Sequence, residues 1–348
     1  MNVDTLILQT TGDPALRAAR AETAGYSAVW VAETSHDVFL HCLLAARGTS
    51  TVGVGTGVAI AFARNPMTVA YQANDLQLWS QGRFMLGLGS QVKPHIERRF
   101  GMPWGRPADR MREFVLALRA IWAAWDSGDQ LDSRGEIYQH TLMPPFFSPG
   151  PNPYGQPPVF LAAVGPRMTE VAGEVADGLL LHSFTTLDYL RETTLPALER
   201  GLQISHRNRA DVDLSMPVFV VTGDTDEALA AAKLGTKTQL AFYASTPTYR
   251  PILERHGLGD LGEQLTGLSR SGEATAWDTM GTLIGDDVLS LFAIVAEPAD
   301  AAEQVLRRYG DLLDRISIYT PYECSSELVA TIAHDIRARA AKVSERKP

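Results

Sequence analysis

Only two cysteines, Cys42 and Cys324, occur in 348 residues, with no C-x-x-C spacing, and the one adjacent histidine, His41, forms no metal-ligand pattern with either. That excludes a disulfide scaffold and a zinc site, and makes a reducing cytoplasm the expected compartment. Positive charge is also in deficit, with 31 Lys and Arg against 40 Asp and Glu and a formal net charge of −9. A general nucleic-acid surface needs a concentrated basic face. The basic clusters "ERRF" (97–100) and "LRRYG" (306–310) are short and interrupted, and read as solvated helix faces. Long apolar runs are missing as well. None approaches the roughly 20 residues that span a bilayer, and no basic stretch followed by an apolar one marks the N-terminus as a signal. Nucleic acid, membrane and metal are therefore not expected as partners.

What the sequence does have is alternation. Eight runs rich in Val, Ile, Leu and Phe are separated by longer amphipathic stretches: 4–9, 27–33, 52–61, 83–89, 158–164, 178–183, 216–223 and 315–321. They are continuously apolar rather than alternating, as expected of parallel strands covered by helices. The segment after the first run has Asp13 and Pro14 as a start signal and Gly25 as a stop. In Pro107 to Trp125 the stripe Met111, Phe114, Val115, Leu118, Ile121 and Trp122 predicts a helix packed on the core. Eight such units predict an α/β fold, a (β/α)8 TIM barrel, with residues 1–348 as a single domain. Two insertions interrupt it: a proline-rich loop, 143–158, before strand five, and a partly helical excursion, 242–295, between strands seven and eight. A separate C-terminal domain is the alternative.

The stretch "GRFMLGLGSQV" (82–92) begins like a dinucleotide fingerprint, but Val92 stands where the third glycine belongs, and the turn follows three earlier strands. Its glycines need another use. Barrel enzymes carry their sites at the C-terminal ends of the strands. Those ends supply Glu33, Thr34 and His36; Gly57, Val58, Ala59 and Ile60; Gly89, Ser90 and Gln91; Ala162, Ala163, Val164 and Gly165; and His182. No Ser-His-Asp order, H-E-x-x-H or P-loop is among them. Instead, glycine-bearing turns let main-chain N–H groups approach phosphate oxygens, and Gly165-Pro166 opens a helix whose N-terminus attracts anions. For one turn alone, an ordinary strand-to-helix corner explains the same residues.

The order of these segments resembles the bacterial luciferase-like flavin and deazaflavin oxidoreductases. The matching stretches are "AGYSAVWVAE", "GVGTGVAIAFARNPMTVA", "GRFMLGLGSQ", "RMREFVLALRAIW" and "PVFLAAVGPRMTEVAGEVADGLLLHS", followed by "RISIYTP". The likeness covers most of the chain, and "GTGVAIAFARNP" with "GLGSQVKPHIERRFG" is most similar to the branch that uses coenzyme F420, a deazaflavin. The resemblance implies that the turn at Gly89, Ser90 and Gln91 helps to hold the cofactor. It further implies that main-chain amides of Ala162 to Gly165 bind its phosphate, that Gly57-Val58 is a cis peptide behind its ring with Ala59 beside it, and that His182 lines the pocket.

The sequence also departs from that pattern. Deazaflavin-dependent sugar-phosphate dehydrogenases place His directly after the acidic residue ending strand two and Glu just beyond the strand-four glycines. Thr34 and Val92 stand there, so that activity is not expected. His36 is the nearest titratable replacement, with Glu33 beside it. The pair is assigned acid–base work, and a purely structural loop histidine is the competing reading. The function expected is hydride transfer between F420 and a small organic substrate. The alternatives are an FMN-dependent monooxygenase and a barrel that binds cofactor without catalysis. A homodimer is expected, because "TVAYQANDLQLWSQ" offers Leu76, Leu78 and Trp79 for burial.

Overall fold

In the computed structural model, which describes residues 1–8, 12–271 and 276–344, the apolar runs become strands. In chain order they are β1 (Asn2–Ile7), β2 (Ala28–Val31), β3 (Gly53–Thr56), β4 (Ala59–Ile60), β5 (Phe84–Gly89), β6 (Ser133–Arg134), β7 (Gln139–His140), β8 (Val159–Ala163), β9 (Gly178–Leu181), β10 (Asp213–Val221), β11 (Ala293–Val295) and β12 (Arg315–Tyr319). The described chain falls into two compact units.

One unit comprises Asp4–Leu180 and Ala197–Leu214. Its parallel ladder runs β1, β2, β3, β5, β8, β9, with β4 paired beside β5. Ile7 lies opposite Val31, Val31 opposite Thr56, and Leu88 opposite Leu161, so the ends of successive strands are brought side by side. Helices begin where a short polar side chain meets a proline. Asp13 accepts the amide of Ala15 at 2.9 Å before helix Pro14–Thr23, and Asn65 accepts that of Thr68 at 2.9 Å before helix Pro66–Trp79. Trp30 fills the middle of the ladder. Its indole N–H donates to Asp4 at 2.8 Å, and its ring meets Phe160 edge-on at 5.2 Å. The neighbouring strand makes room for it, since a Cβ on Gly55 would come within 2.6 Å of the indole.

The other unit comprises Met1–Val3, Leu181–Pro196 and Ser215–Pro348. Here β10 pairs in parallel with both β12 and β11; Phe219 lies opposite Tyr319 and also opposite Ala293. The Tyr322 hydroxyl donates to the Val220 carbonyl at 2.8 Å and accepts the Thr222 amide at 3.0 Å, tying the end of β10 to the segment after β12. Phe184, Phe219 and Phe292 are buried at the centre of this unit among leucines from helices Asp226–Ala244, Gly259–Ser271 and Asp286–Phe292.

The six parallel strands of the first unit and β10 and β12 of the second are the eight strands of a (β/α)8 barrel, the fold read from the sequence. The insertions lie where expected. The proline-rich loop precedes β8, and helices with β11 fill the interval between β10 and β12. Residues 272–275 of the second insertion, and Gln9 of the first apolar run, lie outside the described residues.

Three expectations need correction. The run 52–61 is not one strand, because a cis peptide between Gly57 and Val58 breaks it into β3 and β4. β1 starts two residues earlier than its apolar run, because the Asn2 amide already pairs with the Asp314 carbonyl at 2.8 Å. Leu76 is 4% exposed, buried within its own chain, and is not free for a partner, whereas Leu78 and Trp79 are exposed.

Candidate active site

The loop that follows β2 is clamped by one arginine. Arg64 donates to both Glu33 carboxylate oxygens, at 2.9 and 2.7 Å, and to Asp37 at 3.0 Å. Glu33 also accepts the amide of Ile60 at 2.7 Å, so its carboxylate is spent on holding the loop against β4. Burial disfavours the Arg64 cation, but the hydrogen bonds and charges of Glu33 and Asp37 outweigh it and raise the pKa. Asp37 in turn caps helix Val38–Arg47, accepting from Phe39 at 2.9 Å. His36 lies between Glu33 and Asp37 in the chain, its ring stacked on His41 with centroids 5.4 Å apart. Arg99, from the segment after β5, donates to the Thr34 carbonyl at 2.9 Å.

The cis peptide that the resemblance implied is present. It turns Val58 toward the end of β5, where only glycine fits: a Cβ on Gly89 would meet the Val58 methyl at 2.6 Å and lie 3.9 Å from that of Ala162. Val58, Gly89 and Ala162 thus meet at three adjoining strand ends, with Gly57 and Ala59 flanking Val58. Gly89 and Ala59 are buried, while Val58, Ser90, Gln91 and Ala162 are partly exposed. Gln91 adopts a left-handed φ of 59°, and its side chain accepts the Val92 amide at 3.0 Å. The Ser90 hydroxyl donates to the Gln91 carbonyl at 3.1 Å, leaving its lone pairs available as acceptors.

After β8, Ala163 is buried and Val164 and Gly165 are partly exposed. Gly165 is the N-cap of helix Pro166–Val175, and no side chain caps that end. A Cβ on Gly165 would meet nothing within 4 Å. An uncapped first turn facing open space presents free N–H groups and the positive end of the helix dipole, the arrangement a phosphate requires.

His182 belongs to the other unit and has different surroundings. Its Nδ1 accepts the Phe184 amide at 3.0 Å, which fixes the proton of the neutral ring on Nε2. Burial lowers its pKa to about 4. It stacks on Tyr249 at 4.8 Å and meets Tyr243 edge-on at 4.6 Å. Sequence reasoning did not single out Arg64, which binds Glu33, nor, in the other unit, Tyr243 and Tyr249 around His182 and Tyr319 beside Tyr243. Arg64 falls within the matched stretch "GVGTGVAIAFARNPMTVA", but its partner lies 31 positions away. The tyrosines form no periodic pattern.

The sequence profile of the luciferase-like monooxygenases matches residues 12–315. The chain belongs to this family. Family members are oxidoreductases. Rv1360, an uncharacterized Mycobacterium tuberculosis protein, is 53% identical over 300 residues, 86% of this chain and 87% of its own length. A 5,10-methylenetetrahydromethanopterin reductase of Methanolobus tindarius is 27% identical over 311 residues, covering 87% of this chain and 88% of the relative. Among solved structures, the coenzyme F420 dependent tetrahydromethanopterin reductase from Methanopyrus kandleri superposes with a TM-score of 0.78 at 18% identity, over 97% of this chain and 99% of that one. This luciferase-like barrel has, among the described residues, no helix long and apolar enough to cross a membrane.

Proposed function

We propose that this luciferase-like protein is a deazaflavin-dependent oxidoreductase that moves a hydride between coenzyme F420 and a small organic substrate. The observation that carries the reading is the meeting of Val58, Gly89 and Ala162 at adjoining strand ends, with the uncapped helix start at Gly165 just beyond Ala162 in the chain. The strand ends at Val58, Gly89 and Ala162 would support the ring. Ser90 and Gln91 would bound it, and the main-chain amides of the segment Ala162 to Gly165 would hold the phosphate. The bound deazaflavin supplies the hydride chemistry, and the protein supplies position and electrostatics. His36 exchanges the accompanying proton, and Glu33 keeps the His36 loop in place through Arg64. A relative named for F420 dependence, a glucose-6-phosphate dehydrogenase of Intrasporangium calvum 25% identical over 334 residues, favours deazaflavin over FMN.

Fluorescence titration of the purified protein with F420 and with FMN tests this. Deazaflavin is expected to bind at least about tenfold tighter, a difference of ~1.4 kcal/mol. Equal or reversed preference overturns the reading in favour of an FMN monooxygenase. Binding without turnover across a broad substrate panel favours a cofactor-binding barrel.

The reading includes a cytoplasmic homodimer. Leu40 and Leu44 of helix Val38–Arg47 and Trp79 of helix Pro66–Trp79 are exposed, at 64%, 46% and 55%. Phe39, Leu43 and Leu76 line a groove with Leu40 and Trp79. A second copy covering the exposed side chains of this face would remove them from water. Light scattering at micromolar concentration is expected to give twice the chain mass, and a monomeric mass refutes it.

A further inference from the structure

We infer that His182, Tyr243, Tyr249 and Tyr319 form a recognition wall for a neutral aromatic molecule carrying an oxygen acceptor, such as an aryl ketone; calling that molecule the organic substrate rests on the oxidoreductase reading above. The four side chains come from three places in their unit. His182 follows β9, Tyr319 ends β12, and Tyr243 and Tyr249 lie at the end of helix Asp226–Ala244 and in the turn beyond it. Their rings form one surface: His182 stacks on Tyr249, Tyr243 lies edge-on to His182, and the Tyr243 hydroxyl is 3.4 Å from that of Tyr319. Behind them Phe219 stacks on Tyr319 at 4.8 Å and Phe184 on Phe292 at 4.3 Å, so the wall has a rigid backing.

All four residues are partly exposed, and each brings a polar tip on an aromatic body. Among the described residues, neither the Tyr249 hydroxyl nor His182 Nε2 has a hydrogen-bond partner, and neither is an enclosed atom. Nε2 carries the ring proton and is therefore a donor, as is the Tyr249 phenol. Two donors beside stacked rings suit a flat molecule with an oxygen lone pair. Charge is disfavoured throughout the wall. Burial holds His182 neutral and pushes Tyr249 up to about 12, with Tyr243 adding to the second effect. Burial also raises the Tyr319 phenol, helped by its hydrogen bond with Tyr243. A carboxylate placed there would lose water without gaining a cation.

The test uses the full-length protein without added cofactor, titrated with acetophenone, benzoate and cyclohexanone by ligand-observed NMR. Acetophenone is expected to bind at least about tenfold tighter than benzoate. Tyr249→Phe, which keeps the ring and removes the donor, should weaken acetophenone by about three- to tenfold, the share of one hydrogen bond. Cyclohexanone should bind more weakly than acetophenone, since it cannot stack. Benzoate binding as tightly as acetophenone overturns the inference on the wild-type protein alone, whatever the variants do. So does an unchanged acetophenone affinity in Tyr249→Phe. The cofactor reading fails separately: loss of the F420 preference with acetophenone recognition intact removes the oxidoreductase assignment and leaves the wall standing.

Discussion

Arg64 binds Glu33 through both terminal guanidinium nitrogens while the Glu33 side chain is only 7% exposed, so loss of Arg64 leaves a buried carboxylate without its cation. Removing one partner of a buried ion pair leaves an uncompensated charge, which typically costs about 3–5 kcal/mol. Arg64→Ala should therefore lower the denaturant midpoint strongly. The double variant Arg64→Ala with Glu33→Gln should recover part of the loss. A double variant whose loss equals the sum of those of Arg64→Ala and Glu33→Gln alone would show that the pair is not coupled.

His36 sits in the same loop, between Glu33 and Asp37 in the chain, with its ring stacked on His41. His36→Ala should lower turnover by more than about tenfold, since general acid–base help is typically worth 10²–10⁴. Cofactor affinity should stay within a few-fold. Weak binding with turnover preserved would instead make His36 a clamp on the cofactor.

The two glycine turns should respond unequally to substitution. Gly165 has an ordinary φ of −93° and open space around it, so Gly165→Glu should fold with a thermal midpoint near wild type. It should nonetheless abolish deazaflavin binding, because the new carboxylate occupies and repels the phosphate position. Ser90→Ala should cost far less, on the order of 1 kcal/mol. Normal binding by the Gly165→Glu protein would move the phosphate elsewhere and return this turn to a barrel corner.

Acid should weaken the fold through His182. Its folded pKa of about 4 lies below the roughly 6.5 of an unfolded histidine, so the unfolded chain takes up the proton first. Stability is full above about pH 6.5 and declines as the pH falls toward 4, by an amount on the order of 3 kcal/mol if no other group intervenes. His182→Phe should flatten that part of the curve. Urea midpoints measured from pH 7 to 4 for both proteins check this, and parallel curves would overturn it.

Most of the barrel was legible in the sequence because buried parallel strands carry unbroken apolar runs whose spacing survives without side-chain detail. Strand positions were least secure where pairing rather than polarity sets the end, as at Asn2. The break at Gly57-Val58 has no signature in propensity, and only the family resemblance pointed to it. Glu33 and His36 were visible as titratable residues at a strand end, but their difference was not. The carboxylate of Glu33 is occupied by Arg64, a partner 31 positions along the chain, whereas His36 is stacked on His41. The tyrosine wall joins residues up to 137 positions apart, His182 to Tyr319, and nothing local marks them as neighbours.

The space that Gly55 leaves for the Trp30 indole has an evolutionary consequence. A Cβ at position 55 collides with the ring at 2.6 Å, so a lineage that acquires alanine there is under pressure to shrink residue 30 as well. The reverse change, a smaller residue at 30 with glycine retained, would open a void beside Phe160 and remove the indole N–H that donates to the buried Asp4 carboxylate. Positions 4, 30 and 55 should therefore drift together or not at all, and a swap at one of them grafted from a distant homologue should fail unless its companions travel with it.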